Sequence, residues 1–243
     1  MRIRTFAGRV GREIVRDPLN LAFGLGFPLI VLFLLTAIQR HVPVELFALP
    51  HLTPGVTVFG LSFLTLFSAL LIARDRESAF LHRLYTTPMR ASEFILGYLI
   101  PLLPMALAQG AVCYLAAVIE GLRPTLTILY ALLGLLPVAL FFISLGLLRG
   151  SVCGVKQVGG LCGALLTNLT AWLSGTWFDL ELVGGAFKRF AGFLPFWHAV
   201  EMERALLKGE LAGIWPHVGW VLGYAAAVTA AAVWLFLRQM QKQ

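Results

Sequence analysis

The fold is decided by residues 46–77, "LFALPHLTPGVTVFGLSFLTLFSALLIARDRE". Its first 28 residues contain no Asp, Glu, Lys or Arg, and its last four contain nothing else. A helix rises about 1.5 Å per residue, so roughly 20 apolar residues cross a hydrocarbon layer about 30 Å thick. The run is long enough to span. Each charge of Arg74-Asp75-Arg76-Glu77 would cost about 2.5–3.5 kcal/mol at the bilayer midplane, so the four together mark where the chain leaves the lipid.

Outward from this stretch, five more charge-free runs appear: 18–39, 94–119, 124–148, 157–178 and 211–237, of 22, 26, 25, 22 and 27 residues. They are continuous, whereas barrel strands would alternate in segments of about ten. The 243 residues are 59% hydrophobic and 13% charged, with mean hydropathy +0.84. A soluble domain carries about a quarter charged residues. The expected fold is an all-α membrane protein in one domain, 1–243, with spans at 19–38, 54–73, 94–119, 124–148, 157–178 and 214–237. No cleavable signal peptide is expected, because the first run exceeds a signal core and lacks a small-residue cleavage site. Cys113, Cys153 and Cys162 show no C-x-x-C spacing, and Cys113 and Cys162 lie in apolar runs, where they read as packing residues.

Orientation follows from the basic residues. The N-terminal tail, the segment after the second run, the segment after the fourth and the C-terminal tail hold 13 Lys and Arg; the opposite connections hold 6. The positive-inside rule places both termini in the cytoplasm. The net charge of +7 then reflects topology, and nucleic acid is not an expected partner.

Residues 1–17 read as an amphipathic helix at the inner membrane surface, with Ile3, Phe6, Val10 and Ile14 at helical spacing and Arg2, Arg9 and Arg16 every seven. Pro18 ends it or opens the next helix. "TPG" predicts that the second span starts with Thr53 as cap and Pro54 in the first turn. Pro101, Pro104 and Pro137 are expected inside their spans. Gly159 and Gly163 form a G-x-x-x-G, serving either packing within the chain or a subunit seam. Asn168 lies mid-span, either bonding across helices or facing a substrate path. Residues 179–210 are aromatic but broken by Pro195 and charges; they fit a re-entrant or interfacial helical hairpin on the outer side, carrying Pro195, Trp197 and Arg204.

No G-x-x-x-x-G-K-[ST], H-E-x-x-H or G-x-S-x-G occurs, and no Asp, Glu, Lys or Arg lies within the six spans. A chain with no phosphate-binding loop and no intramembrane charge is not expected to be an enzyme or an ion-driven carrier. The alternative classes remain those two. The chain is expected to borrow its energy from a partner. In residues 73–99, "ARDRESAFLHRLYTTPMRASEFILGYL", Phe80, Leu81, Leu84 and Tyr85 share one helical face, with Glu77 on the apolar side and Arg76, His82 and Arg83 opposite. Pro88 stops that helix, and the next starts at Pro88 or Ser92.

This region resembles the segment after the second helix in ABC-2 type permeases, the membrane subunits of ABC exporters. Glu77 matches the family glutamate, Leu84 a leucine, Thr87-Pro88 the Thr-Pro and Gly97 the glycine; Ser78-Ala79 stands for Gly-Thr and Tyr98 for a lysine. "LPFWHAVEMERALLKG" is similar to the family's outer segment before the last helix. The resemblance implies a coupling helix at 75–87, with Glu77, Phe80, Leu81, Leu84, Tyr85, Thr87 and Pro88 facing a separate ATPase subunit that binds ATP and Mg. It also implies a second permease copy or paralogue, with the first and fifth spans at the seam, in a bacterial-type inner membrane. The exported cargo is expected to be a drug, lipid or peptide, with polysaccharide or haem as the alternatives within the family. No cofactor is expected in this chain.

Overall fold

Asp17-Pro18 divides the first two helices. The Asp17 carboxylate accepts from the backbone N–H of Asn20 at 3.1 Å, and Pro18 occupies the first turn, where a missing N–H costs nothing. The structure is a computed structural model and describes residues 2–42, 44–78 and 91–240. Among these the chain is helical, with no strand.

Helix α1 (Arg2–Val15) buries Phe6 and Val10 against the start of α4 (Ala91–Ile119), where Phe6 meets the rings of Phe94 and Tyr98 edge-on at 6.0 and 5.1 Å. The predicted apolar stripe is therefore satisfied by protein. Close approach requires Gly97: a Cβ there would lie 2.1 Å from Phe6 Cδ1. Helix α2 (Pro18–His41) widens into a π-helical turn at Ala22–Gly26, where Phe67 packs against Gly24.

Helix α3 (Leu49–Glu77) starts earlier than "TPG" predicts. Ala48 takes the cap position, Pro50 lies in the first turn, and Pro54 is carried inside the helix. The extra turn buries Leu52 completely, which is worth about 1.5–3 kcal/mol and offsets the ladder bond that Pro54 cannot donate. In its most apolar stretch α3 is 89% buried, against 22% for α2 and for α10 (Trp215–Met240). It is the central post, packed by α2, α4, α9 (Pro195–Lys208) and α5 (Thr127–Val152). Gly146 and Gly150 let α5 approach the α3 backbone: a Cβ on either would lie 2.3 Å from a carbonyl oxygen, of Thr65 or Ala69 respectively. Thr65 Oγ1 donates across this crossing to Phe142 O at 2.9 Å.

Among the described residues, five helices are long and apolar enough to cross a membrane: Pro18–His41, Leu49–Glu77, Ser92–Ile119, Thr127–Val152 and Trp215–Arg238. The apolar run 157–178 behaves differently. It folds as α6, residues 155–173, with π-helical turns over Gly159–Leu166. It stops at Leu173 because the chain turns at Gly175, whose φ is +69°, and Lys156, Gln157 and Asn168 dilute what is left. After it come the short helices α7 (Leu180–Val183) and α8 (Gly185–Phe193), then α9, whose first turn holds Pro195. Phe196 of α9 packs on the rings of Phe141 and Phe142, both at 6.1 Å.

Candidate functional site

Consecutive residues on a helix point about 100° apart, so four charges in a row at the end of α3 fan out in four directions. Each finds a different neighbour. Arg74 donates to Asp17 at 3.2 Å, at the entrance to α2. Asp75, only 2% exposed, accepts from both terminal nitrogens of Arg9 in α1, at 2.8 and 2.5 Å, and from the Tyr98 hydroxyl of α4 at 2.7 Å. Arg76 donates to Cys153 O at 2.7 Å and to Ser151 O, placing a cation at the C-terminal end of α5, where a helix favours positive charge. Glu77 accepts from the backbone N–H of Val155 at 2.9 Å, at the start of α6, where a helix favours negative charge.

Four residues thus tie together the ends of α1, α2, α4, α5 and α6. The hydrogen bond to Asp75 raises the Arg9 pKa, against the lowering effect of burial. Burial, and then repulsion from Asp75, raises that of Glu13 next to it. The end of α3 is therefore held by five other helices at once.

Of the residues expected to meet an ATPase, Glu77 is placed at this root, exposed and bonded to Val155. Phe80, Leu81, Leu84, Tyr85, Thr87 and Pro88 lie outside the described residues. The other expected sites scatter. Gly163 faces Leu66 of α3 within the chain, while Gly159 has nothing within 4 Å of where a side chain would begin. Asn168 is exposed and donates to Ala164 O in its own helix at 2.8 Å. The outer residues form a clasp. Arg204, 5% exposed, donates to His51 O at 3.2 Å, Gly175 O at 3.0 Å and Glu201 at 2.6 Å, fastening α9 to the start of α3 and to the turn after α6. Trp197 packs edge-on to His217, and His198 Nδ1 lies 2.8 Å from His217 Nδ1, joining α9 to α10.

Sequence reasoning missed Glu203. It is fully buried, its Oε2 accepts from the Tyr114 hydroxyl at 3.2 Å, and its Oε1 has no partner. Burial lifts its pKa well above the ordinary carboxylate value. The available signal was an acid between Met202 and Arg204 in a segment read as a re-entrant or interfacial hairpin. Among the described residues no group of three or more His, Cys, Asp or Glu is gathered to hold a metal ion.

No curated protein matches this chain. The family description "ABC-2 type transporter" matches residues 1–207, which takes in the charged fan, all of α1 to α6 and nearly all of the outer clasp. By that match the chain belongs to the ABC-2 type transporter family, a family of membrane domains that serve ABC transporters.

Proposed function

We propose that the chain is the permease subunit of an ATP-driven exporter, and that a separate ATPase subunit, carrying ATP and Mg, docks on the coupling segment expected at 75–87, at its part beyond Asp75, whose carboxylate is buried and held by Arg9 and Tyr98. The observation that carries this reading is the fan at the end of α3. The last four residues of α3 are rooted at once in α1, α2, α4, α5 and α6, and a helix that merely led into a loop would not need such a root. Phe80, Leu81, Leu84 and Tyr85 are the face given to the ATPase, and Thr87-Pro88 closes it. Glu77 acts at the root, through the first turn of α6. In this reading α6 is the sixth crossing, α1 rests at the inner-membrane interface, both termini are cytoplasmic, and α7 to α9 form a hairpin dipping into the outer boundary. Two copies, or this chain and a paralogue, pair through α2 and α6; support comes from α2, only 22% buried in its most apolar stretch. The cargo is an amphiphile, in keeping with spans rich in Leu, Phe, Trp and small residues.

The test is to co-express the chain with its ATPase and compare Leu84→Asp and Phe80→Asp with Arg90→Ala. The two aspartates should leave membrane insertion intact and abolish pull-down and export, whereas Arg90→Ala should keep both. Losing a buried docking contact costs about 2–5 kcal/mol, or roughly 30- to several-thousand-fold in affinity. Normal pull-down and export by Leu84→Asp would overturn the docking assignment.

A further inference from the structure

Two hydrogen bonds fix where the protons stand in the pair formed by His198 and His217. His198 Nε2 lies 2.8 Å from Gly192 O, and a carbonyl oxygen only accepts, so Nε2 carries a hydrogen. His198 Nδ1 and His217 Nδ1 are 2.8 Å apart, so one hydrogen stands between them. In the neutral pair His217 Nδ1–H is therefore the donor and His198 Nδ1 the acceptor. The pair admits one further proton, because whichever ring becomes imidazolium donates to the Nδ1 lone pair of the other. It does not admit a second, because both Nδ1 atoms would then point a hydrogen at each other.

The rings are held in this arrangement. His198 is 5% exposed and lies flat on Trp220, with centroids 5.0 Å apart and planes within 5° of parallel. Trp197 stands edge-on to His217 at 5.5 Å, and turning His198 aside would break its bond to Gly192. The acids and bases on the helices around them have other partners. Lys188 of α8 is paired with Glu181, Arg204 of α9 holds Glu201 and the carbonyl of His51 in α3, and the Tyr224 hydroxyl of α10 donates to Phe193 O. The one charge of α5, Arg149, lies in its last turn. Among the described residues Glu201 is the one charged side chain outside the pair that acts on either ring. Burial lowers the His198 pKa, in the same direction as the geometry.

We propose that the pair is an acid-released latch: it holds α9 to α10 while the two rings carry at most one added proton between them, and lets go when the second binds. Released histidines titrate near about pH 6.5 and take one proton each below it, whereas the closed pair stops at one. The open state therefore binds at least one proton more. Closure is at full strength above about pH 6.5 and weakens as pH falls, by about tenfold in the closed-to-open ratio per pH unit. Glu203, on the same helix but bonded to Tyr114 of α4, acts in the opposite sense, because its stabilising proton is lost as pH rises. The inference concerns a joint within the chain and does not depend on the exporter reading; within that reading, the latch senses the acidity of the outer compartment.

The full chain in phosphatidylcholine nanodiscs would be followed by hydrogen exchange across this pH range, corrected for the intrinsic pH dependence of exchange. Protection of α9 and of the first turns of α10 should fall up to about tenfold from about pH 6.5 to about pH 5.5. His51→Gln, which removes the histidine that α3 brings to α9, should keep this fall. His217→Gln should lessen it, since the amide can turn its oxygen to a protonated Nδ1. His198→Phe with His217→Phe, which keeps two rings and no titrating nitrogen, should abolish it. In the parent itself, nitrogen NMR of the imidazoles should show one hydrogen shared between the two Nδ1 atoms at neutral pH, and its loss as protection falls. Flat protection in the parent, or a fall undiminished in His217→Gln or surviving in the phenylalanine pair, would overturn the latch. So would two rings that each take up a proton near about pH 6.5 with no loss of protection.

Discussion

Arg9 grips Asp75 across 66 residues of sequence, with both terminal nitrogens on the carboxylate and the Tyr98 hydroxyl completing the cage. Breaking a buried pair by removing one member costs about 3–5 kcal/mol, because the survivor is stranded. The Arg9 side chain is 35% exposed and that of Asp75 3%, so the stranded charge after Arg9→Ala is the deeply buried one. Discounting for solvent at Arg9, we expect a loss of about 2–3 kcal/mol. Arg9→Met combined with Asp75→Asn should recover part of it. Thermal unfolding in detergent checks this, and a double variant no better than Arg9→Ala would show that the pair is not what holds α1.

Gly97→Ala places a methyl 2.1 Å from Phe6 Cδ1, and ring and helix must move apart. Overpacking of this kind costs about 1–3 kcal/mol. The change should expose α1 to protease, and adding Phe6→Ala should reverse that exposure even though Phe6→Ala alone is harmful. Absence of rescue would place the fault elsewhere.

The crossing of α3 and α5 gives the sharpest contrast. Gly146→Ala would set a methyl 2.3 Å from Thr65 O, and Gly150→Ala 2.3 Å from Ala69 O; backbone cannot yield cheaply, so each should cost at least about 1–3 kcal/mol. Gly159→Ala meets open space and should stay within about 0.5 kcal/mol. Folded yield and melting temperature of the three variants decide it.

Glu203 sets a pH dependence. Its folded pKa is raised by burial, so the folded protein holds this proton more tightly than the unfolded chain, and the associated stability is lost as pH rises above the ordinary carboxylate range of about 4.3. Glu203→Gln keeps the shape and removes the titration. Relative to the parent, the variant should gain stability as pH rises above the ordinary carboxylate range, while at pH 4 the two should converge. A gap that is constant above pH 5 would mean that the folded and unfolded chains hold this proton alike, and that burial does not raise the Glu203 pKa.

Much of this was legible in the sequence. Five of the six charge-free runs coincide with helices long enough to cross a membrane, Pro18, read as ending the first helix or opening the next, opens α2, and the apolar stripe of α1 is its buried face. That Arg74-Asp75-Arg76-Glu77 lie outside the lipid followed from desolvation cost alone. Their partners did not, because Asp17, Arg9, Ser151 and Val155 are 57 to 78 residues away and any other charge or helix end would have served equally well on paper. The small-residue motif was sought at Gly159 and Gly163, yet the tight crossing uses Gly146 and Gly150; identical spacing appears in both, and only the neighbour distinguishes them. Pro54 looked like a helix start because the benefit of burying Leu52 is a tertiary quantity.

The order of residues in the fan also fixes the order in which it can be built during synthesis. Arg9 and Asp17 have already emerged when Asp75 and Arg74 are made, and Tyr98 comes only 23 residues after Asp75. Arg76 and Glu77 must wait for residues 151–155, a further 75 to 78 residues. A nascent chain halted before residue 151 therefore holds a finished half-joint uniting α1, α2, α3 and α4, with one cation and one anion still unanswered at its rim. When the ends of α5 and α6 are made, the two charges that meet them were set in the chain some 75 residues earlier.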